Sequence, residues 1–599
     1  MSEAPVSAAP QWWRDAVIYQ VYPRSFADAD GDGMGDLEGI RSRIPYLARL
    51  GVDAIWLSPF FASPQNDAGY DVSDYRAIEP RFGDLDDFDR MLETAHAHGI
   101  RLIADLVPNH TSSEHEWFKA ALAAGPGSPE RARYWFRDVD AAAPDTPPNN
   151  WQSIFGGPAW TKTEDGKQWY LHLFDATQPD LNWENPEVHE EFQSVLRFWL
   201  DRGVDGFRID VAHGMVKAEG LPDTGGDGTI EMIGTTLAPF FDQDGVHDIY
   251  RTWRPIIEEY EGDRIFVAEA WTDSAERRAL YLRPDELHQA FNFDLVLAPF
   301  KAAEFRKAID AEIANNAGVG APCTWVLSNH DVQRHVTRYG GGEIGLARAK
   351  AATQLLLSLP GVVYVYQGEE LGLNEVLDLP AEVREDPTFF RTNGEQIGRD
   401  GCRVPLPWTR EGDSLGFGAG GSWLPQPADW AERSVEAEDG VEGSTLEFYR
   451  AAINLRKGLR GSVTGLTWLG DPGDDAFAFD NGALVCVVNF SDEPVPVAGY
   501  GTEVLLASTP LENGTLPAGP PDGFPHSHAG HAGAPRLPPR GPCFTRLQVY
   551  QLPSSLALTL IGSSSATRPY CSLTSWYSPA SSRYRCSTGR PSAASEMRR

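Results

Sequence analysis

VDGFRIDV, residues 204–211, is an apolar run that carries Arg208 and Asp210 at its end. Apart from those end charges the run is dominated by Val204, Phe207, Ile209 and Val211, which suits a parallel strand covered on both sides. Seven further runs share this form: AVIYQVYPRSF (16–26), VDAIWLSPF (52–60), RLIADLVPNH (101–110), IFVAEAW (265–271), AFNFDL (290–295), TWVLSNHD (324–331) and VVYVYQGEE (362–370). Helical patterns lie between them. In DDFDRMLETAHAHG (86–99), for example, Phe88, Met91, Leu92 and Ala95 fall on one stripe. Eight such strand–helix units predict an α/β fold, a (β/α)8 barrel with its chemical groups at the C-terminal ends of the strands.

Two spacings exceed the roughly 30 residues of one unit. The sequence therefore reads as a first barrel part (1–110), an inserted domain after the third strand (111–179) and a second barrel part (180–462) with an insertion at 371–440. Alternating segments such as ALVCVVNFS and TEVLLAS predict a small antiparallel β-domain over 463–525. From 526 to 599 the chain is rich in Ser, Pro and Arg without periodicity. After residue 510 there is no lysine, and nine arginines face three acids, a net +6 on a body of −40. That break reads as a disordered tail or as non-native sequence from an altered reading frame, and favours the second.

The 599 residues carry a formal net charge of −34, which argues against nucleic acid or anionic membranes as partners and suits a neutral substrate. No run approaches the roughly 18 apolar residues of a membrane span. The N-terminus has no basic start or apolar signal core, so a cytoplasmic location is the expectation. Six cysteines without a CxxC pair suggest neither a zinc site nor a disulfide framework.

Three strands end in carboxylates: Asp210, Glu269 and Asp331. One such charge can equally be a rim ion pair; three at one mouth, with Arg208 on the same strand face as Asp210, point to chemistry. Paired carboxylates flanking a bond are the machinery of glycoside hydrolysis, one ionised as nucleophile and one protonated as acid. Arg208 favours an ionised Asp210, and the apolar setting of Glu269 in VAEAW favours its acid form.

DADGDGMGD (28–36) offers Asp28, Asp30, Asp32, the Met34 carbonyl and Asp36 at five calcium-loop positions, with Gly33 at the turn. Position 12 is Gly39, so the loop is an incomplete EF-hand; an acidic, glycine-rich turn is the plain alternative.

DLVPNH (105–110), GFRID (206–210), the Glu of VAEAW, SNHD (328–331) and QPDLN (178–182) together resemble the alpha-amylase family, glycoside hydrolase family 13, in its alpha-glucosidase and oligo-1,6-glucosidase branch. The likeness spans roughly residues 12 to 525. It implies Asp210 as nucleophile, Glu269 as general acid/base and Asp331 as transition-state stabiliser. It further implies His110, Arg208 and His330 as hydrogen-bonding groups around the first glucose, and Asp67 and Tyr70 as a sugar-binding Asp and a stacking Tyr. Arg399 matches the arginine that pairs with that Asp and closes the pocket. Phe155 and Phe174 are stacking walls or buried core. The acidic loop resembles that branch's calcium or magnesium loop, a structural staple; no organic cofactor is implied.

The resemblance implies a retaining, exo-acting alpha-glucosidase acting on a small oligosaccharide, as a monomer or homo-oligomer. Val211 points toward alpha-1,6 cleavage, but Ala212-His213-Gly214 departs from the bulkier run of the 1,6 enzymes, and maltose is the expected substrate. An oligo-1,6-glucosidase and a trehalose-forming isomerase are the enzyme alternatives. The three carboxylates argue against a non-catalytic barrel subunit, and the single, incomplete loop against a calcium sensor.

Overall fold

Val17–Val21 (β1), Ala54–Leu57 (β2), Arg101–Leu106 (β3), Gly206–Ile209 (β4), Ile265–Ala268 (β5), Gln289–Ala290 (β6), Thr324–Trp325 (β7) and Val362–Tyr366 (β8) form one parallel sheet. Its order is β6-β5-β4-β3-β2-β1-β8-β7. The computed structural model describes residues 11–225 and 238–516, apart from 471, 492, 502, 509 and 513, and the backbone of 547–551. The two edge strands are tied where the Asn292 N–H donates to the Thr324 carbonyl at 3.1 Å, so the sheet is a nearly closed barrel. β1, β2, β4, β5 and β8 are buried along their whole length, as strands covered on both faces must be.

All eight apolar runs contain a barrel strand, with one difference in extent. The run 290–295 contributes only the end of β6, then turns into a helix, Phe293–Leu297. Asn292 sets that switch: its side chain accepts the Leu295 N–H at 2.8 Å, a helix N-cap inside what reads as a continuous apolar strand.

Several helices between strands start where short polar side chains cap them. Asp36 accepts the Gly39 N–H at the head of Leu37–Leu50, and Asp84 forms a capping box on Leu85–Ala97. Leu85–Ala97 buries Phe88, Met91, Leu92 and Ala95. Each large side chain so buried contributes about 1.5–3 kcal/mol.

Between β3 and β4 the chain makes a three-stranded antiparallel sheet from Phe136–Asp138, Trp160–Lys162 and Gln168–Leu171. After β8 the segment 371–440 holds only short helical turns, then Thr445–Gly458 forms the last long helix before the C-terminal strands.

The C-terminal sheet has the order Thr467–Trp468, Ala476–Asp480, Leu484–Asn489, Leu547–Gln551, Val504–Ala507. Leu547–Gln551 pairs antiparallel with both Leu484–Asn489 and Val504–Ala507. This corrects the reading of 526–599 as tail: five of its residues form an inner strand. LQVYQ alternates, but five residues inside a Ser/Pro/Arg-rich stretch carry too little periodicity to stand out. The remainder of that stretch lies outside the described residues. No helix among the described residues is long and apolar enough to cross a membrane.

A chain ending at residue 525 loses the inner strand and leaves the facing edges of buried Leu484–Asn489 and of Val504–Ala507 unpaired. Its melting temperature should fall at least about 3 °C below that of a chain ending at 551; coincident melting curves would contradict the role of Leu547–Gln551.

Candidate active site

Strand register builds the centre of the barrel mouth. Asp105 on β3 stands opposite Arg208 on β4, and Ala268 opposite Ile209, so Glu269 follows beside Asp210. Arg208 is buried, and its Nη1 donates to Asp105 Oδ1 at 2.9 Å and Asp210 Oδ1 at 2.6 Å. Nη2 lies 3.1 Å from Glu269 Oε2. One guanidinium thus holds three carboxylates.

Burial pushes the Asp210 carboxyl well above the usual carboxylate range; Arg208 opposes this, while the Glu269 and Asp105 charges add to it. Asp105 is pushed up to about 6 by burial against the same arginine. Each negative charge at this spacing raises the cost of ionising Asp210, and Arg208 offsets part of that cost. Such a site can offer an acid and an ionised carboxylate together.

Val211, directly after Asp210, has φ +44°, a left-handed backbone that a β-branched residue adopts only under constraint. That turn aims the Val211 N–H at Glu269 Oε2, 2.9 Å away.

Asp331 follows β7 and is held by two arginines, Arg399 Nη1 and Arg403 Nη2, each 3.0 Å from Oδ1. Burial pushes this carboxyl up, but His330, Arg399, Arg403 and Arg208 outweigh it and hold it well below the usual range. Arg399 also reaches Asp67 Oδ1 at 2.8 Å through Nη2 and Asp386 Oδ2 at 2.5 Å through Nε. Asp67 accepts the Gln178 amide at 3.1 Å as well.

His330 is buried and neutral, its basicity lowered mainly by burial. The Gln20 amide reaches its Nδ1 at 2.8 Å, which leaves the proton on Nε2 beside Tyr70 Oη (2.6 Å) and Asp331 Oδ2 (3.2 Å). The Tyr70 ring stacks on His330 with 5.2 Å between centroids. His110 Nε2 faces the Tyr70 carbonyl at 3.1 Å and Gln178 Nε2 at 3.2 Å. Phe174 packs on His110 and edge-on to Phe155, over which the Arg399 guanidinium lies 5.2 Å from the ring centroid. All eleven residues singled out at the mouth therefore belong to one connected cluster. Phe155, Asp331, Gln333, Glu375 and Arg399 line a cleft of about 770 Å³ there.

Asp105, Asp386, Arg403, Gln178 and Trp271 were not singled out in the sequence. Asp105 was detectable, since it is a strand-end acid on the register of Arg208; Asp386 and Arg403 lie on irregular segments with no period to mark them.

At the acidic loop, oxygens of Asp28, Asp30 and Asp36 lie within 4.8 Å of one another. Burial pushes Asp28 and Asp36 up, and neighbouring Asp30 adds to it. Asp32 is exposed outside this cluster, its Oδ1 accepting the Met34 N–H at 2.7 Å. The hard oxygens of three crowded carboxylates fit a divalent cation such as calcium or magnesium.

The model of the alpha-amylase catalytic domain matches residues 20–463. The chain belongs to the alpha-amylase family. Residues 464–521 match a domain of unknown function. Among relatives, this family member is 37% identical over 504 residues to a Rhizobium meliloti protein named "Probable alpha-glucosidase", covering 80% of this chain and 90% of that one. It is 36% identical to an oligo-1,6-glucosidase of Parageobacillus thermoglucosidasius over 74% of this chain and 84% of the other. A crystal structure of an alpha-glucosyl transfer enzyme superposes with a TM-score of 0.78 at 34% identity, covering 91% of this chain and 100% of that one. As a member of this family the chain is a glycoside hydrolase.

The 111–179 excursion returns to the barrel through Asp180, whose carboxylate pairs with Lys217 Nζ at 2.8 Å, both side chains fully buried. Lys217 also donates to Asn109 Oδ1 at 3.0 Å, next to His110. Lys217→Met leaves a buried carboxylate without its cation and should cost about 3–5 kcal/mol. A fall in melting temperature should follow, part of which the double variant with Asp180→Asn recovers. A single variant as stable as the parent would contradict this.

Proposed function

We propose that the chain is a retaining, exo-acting alpha-glucosidase that removes terminal glucose from maltose and short malto-oligosaccharides. The observation that carries the reading is the Arg399 bridge from Asp67 to Asp331. A charged bridge at the end of the pocket supports a site that takes one glucose beyond the scissile bond and does not let a chain thread through. The strongly acidic protein suits a neutral sugar.

Asp210 acts as nucleophile. Its carboxylate attacks the anomeric carbon while Glu269 protonates the departing oxygen; water then attacks the glucosyl-enzyme as Glu269 takes its proton. Placement of both carboxylates on one guanidinium suits the roughly 5–5.5 Å spacing of a retaining pair. Asp331, kept ionised by its arginines and His330, favours the positive charge of the oxocarbenium-like transition state. His110, Arg208 and His330 hydrogen-bond the glucose, Asp67 and Arg399 bind its far hydroxyls, and Tyr70, Phe155 and Phe174 shape the pocket wall.

A second reading, an oligo-1,6-glucosidase, is favoured by Val211 and by the similarity to the Parageobacillus thermoglucosidasius protein of that name, but one methyl group shifts discrimination by only about 1–3 kcal/mol. Hydrolysis of maltose should give alpha-glucose first, with kcat/KM above that for isomaltose. A clear preference for isomaltose would make the second reading the correct one; beta-glucose as first product would exclude retention.

Asp28, Asp30 and Asp36 would hold one structural divalent cation, with the Met34 carbonyl as a further oxygen, while Asp32, turned to its own backbone, stands outside the set. The cation would neutralise the crowded carboxylates of the folded state only, so EDTA should lower the melting temperature. An unchanged melting curve together with no metal by elemental analysis would reject the site.

A further inference from the structure

Glu269 has two oxygens in different company. Oε2 accepts two donors fixed by the barrel, the Val211 N–H at 2.9 Å and Arg208 Nη2 at 3.1 Å. A proton on Oε2 would have to displace one of them. Oε1 accepts the Trp271 indole N–H at 2.9 Å. A proton that Glu269 delivers is therefore carried on Oε1, where the indole fills one of that oxygen's two remaining directions.

Trp271 is itself held. Its ring lies flat on Phe293, with 3.7 Å between centroids and 5° between planes. Phe293 is buried at the start of the Phe293–Leu297 helix, whose cap Asn292 also donates to buried Glu312 at 2.9 Å. A chain of fixed contacts thus runs from the barrel edge through Phe293 and Trp271 to Glu269 Oε1.

The geometry points to Trp271 as a positioning residue for acid catalysis: its N–H orients Glu269 so that Oε1–H faces the glycosidic oxygen. This rests on the reading of Glu269 as general acid/base. In the first step the C1–O bond breaks, the Oε1 proton goes to the departing oxygen, and Asp210 forms the new bond to C1. In the second, water gives its proton back to Oε1 as its oxygen bonds to C1 and Asp210 leaves with the electron pair. The part assigned to Trp271 is to set the direction of transfer through its bond to Oε1.

An orienting role predicts a dependence on the leaving group that simple packing does not. Maltose releases a sugar alkoxide that must be protonated, whereas 2,4-dinitrophenyl alpha-glucoside releases a stable phenolate. Trp271→Phe keeps a ring on Phe293 and deletes the donor. Its kcat/KM for maltose should fall at least about tenfold, a fraction of the roughly 10²–10⁴ that a positioned acid supplies, and that for the aryl glucoside less than about threefold. If Trp271→Phe does not fold, replacement of the indole by its benzothiophene analogue removes the N–H alone. Equal losses on both substrates, or no loss on maltose, overturn the proposal. Glu269→Gln serves as reference: if it also fails to discriminate between the two substrates, the acid/base reading of Glu269 falls first. If it discriminates and the Trp271 variants do not, only the role of Trp271 falls.

Discussion

A buried guanidinium is the constraint on which this site depends. Arg208 sits at the barrel mouth with its charge out of water, a position that costs several kcal/mol unless carboxylates compensate it. Asp105, Asp210 and Glu269 do so, and the Trp56 ring lies beneath the guanidinium carbon at 5.1 Å. The carboxylates that make the arginine tolerable include the two that the proposed chemistry uses. Fold and reaction therefore share one electrostatic arrangement, and parallel register alone brings its members together.

Arg399 performs the complementary task from outside the barrel. It comes from the segment after β8, yet meets Asp67 after β2, Asp331 after β7 and Asp386 in its own segment. The pair with Asp67 joins parts of the chain 332 residues apart. The pocket is closed by loops that no local propensity specifies, and its shape depends on the barrel having formed first. Lys217 and Asp180 make a similar tie, fixing the return of the excursion beside Asn109 and His110.

The barrel was legible because its strands are apolar on both faces, and because charged residues at their ends stand out against that background. Arg208 and Asp210 share a face by period two; Asp105 follows from the same logic once register is known. The sixth strand was overextended because AFNFDL is apolar throughout, and only the cap formed by Asn292 turns it into a helix. Asp386, Arg403 and Trp271 act through tertiary proximity, which spacing cannot express. Leu547–Gln551 escaped because a five-residue strand surrounded by Pro, Ser and Arg gains its stability from partners 41 to 67 residues away. In the acidic loop the aspartates were evident, but their grouping was not: Asp32 turns to its own backbone while Asp28, Asp30 and Asp36 converge.

The central claim is that Asp210, fixed by Arg208, bonds covalently to glucose. Reaction with a slow fluorinated alpha-glucosyl substrate, followed by proteolysis and mass spectrometry, tests it directly. The account predicts one added sugar per chain, on the peptide that contains Asp210, with no adduct in Asp210→Asn. A sugar attached to Glu269 or Asp331, or retention of anomeric configuration without any adduct on Asp210, would contradict it.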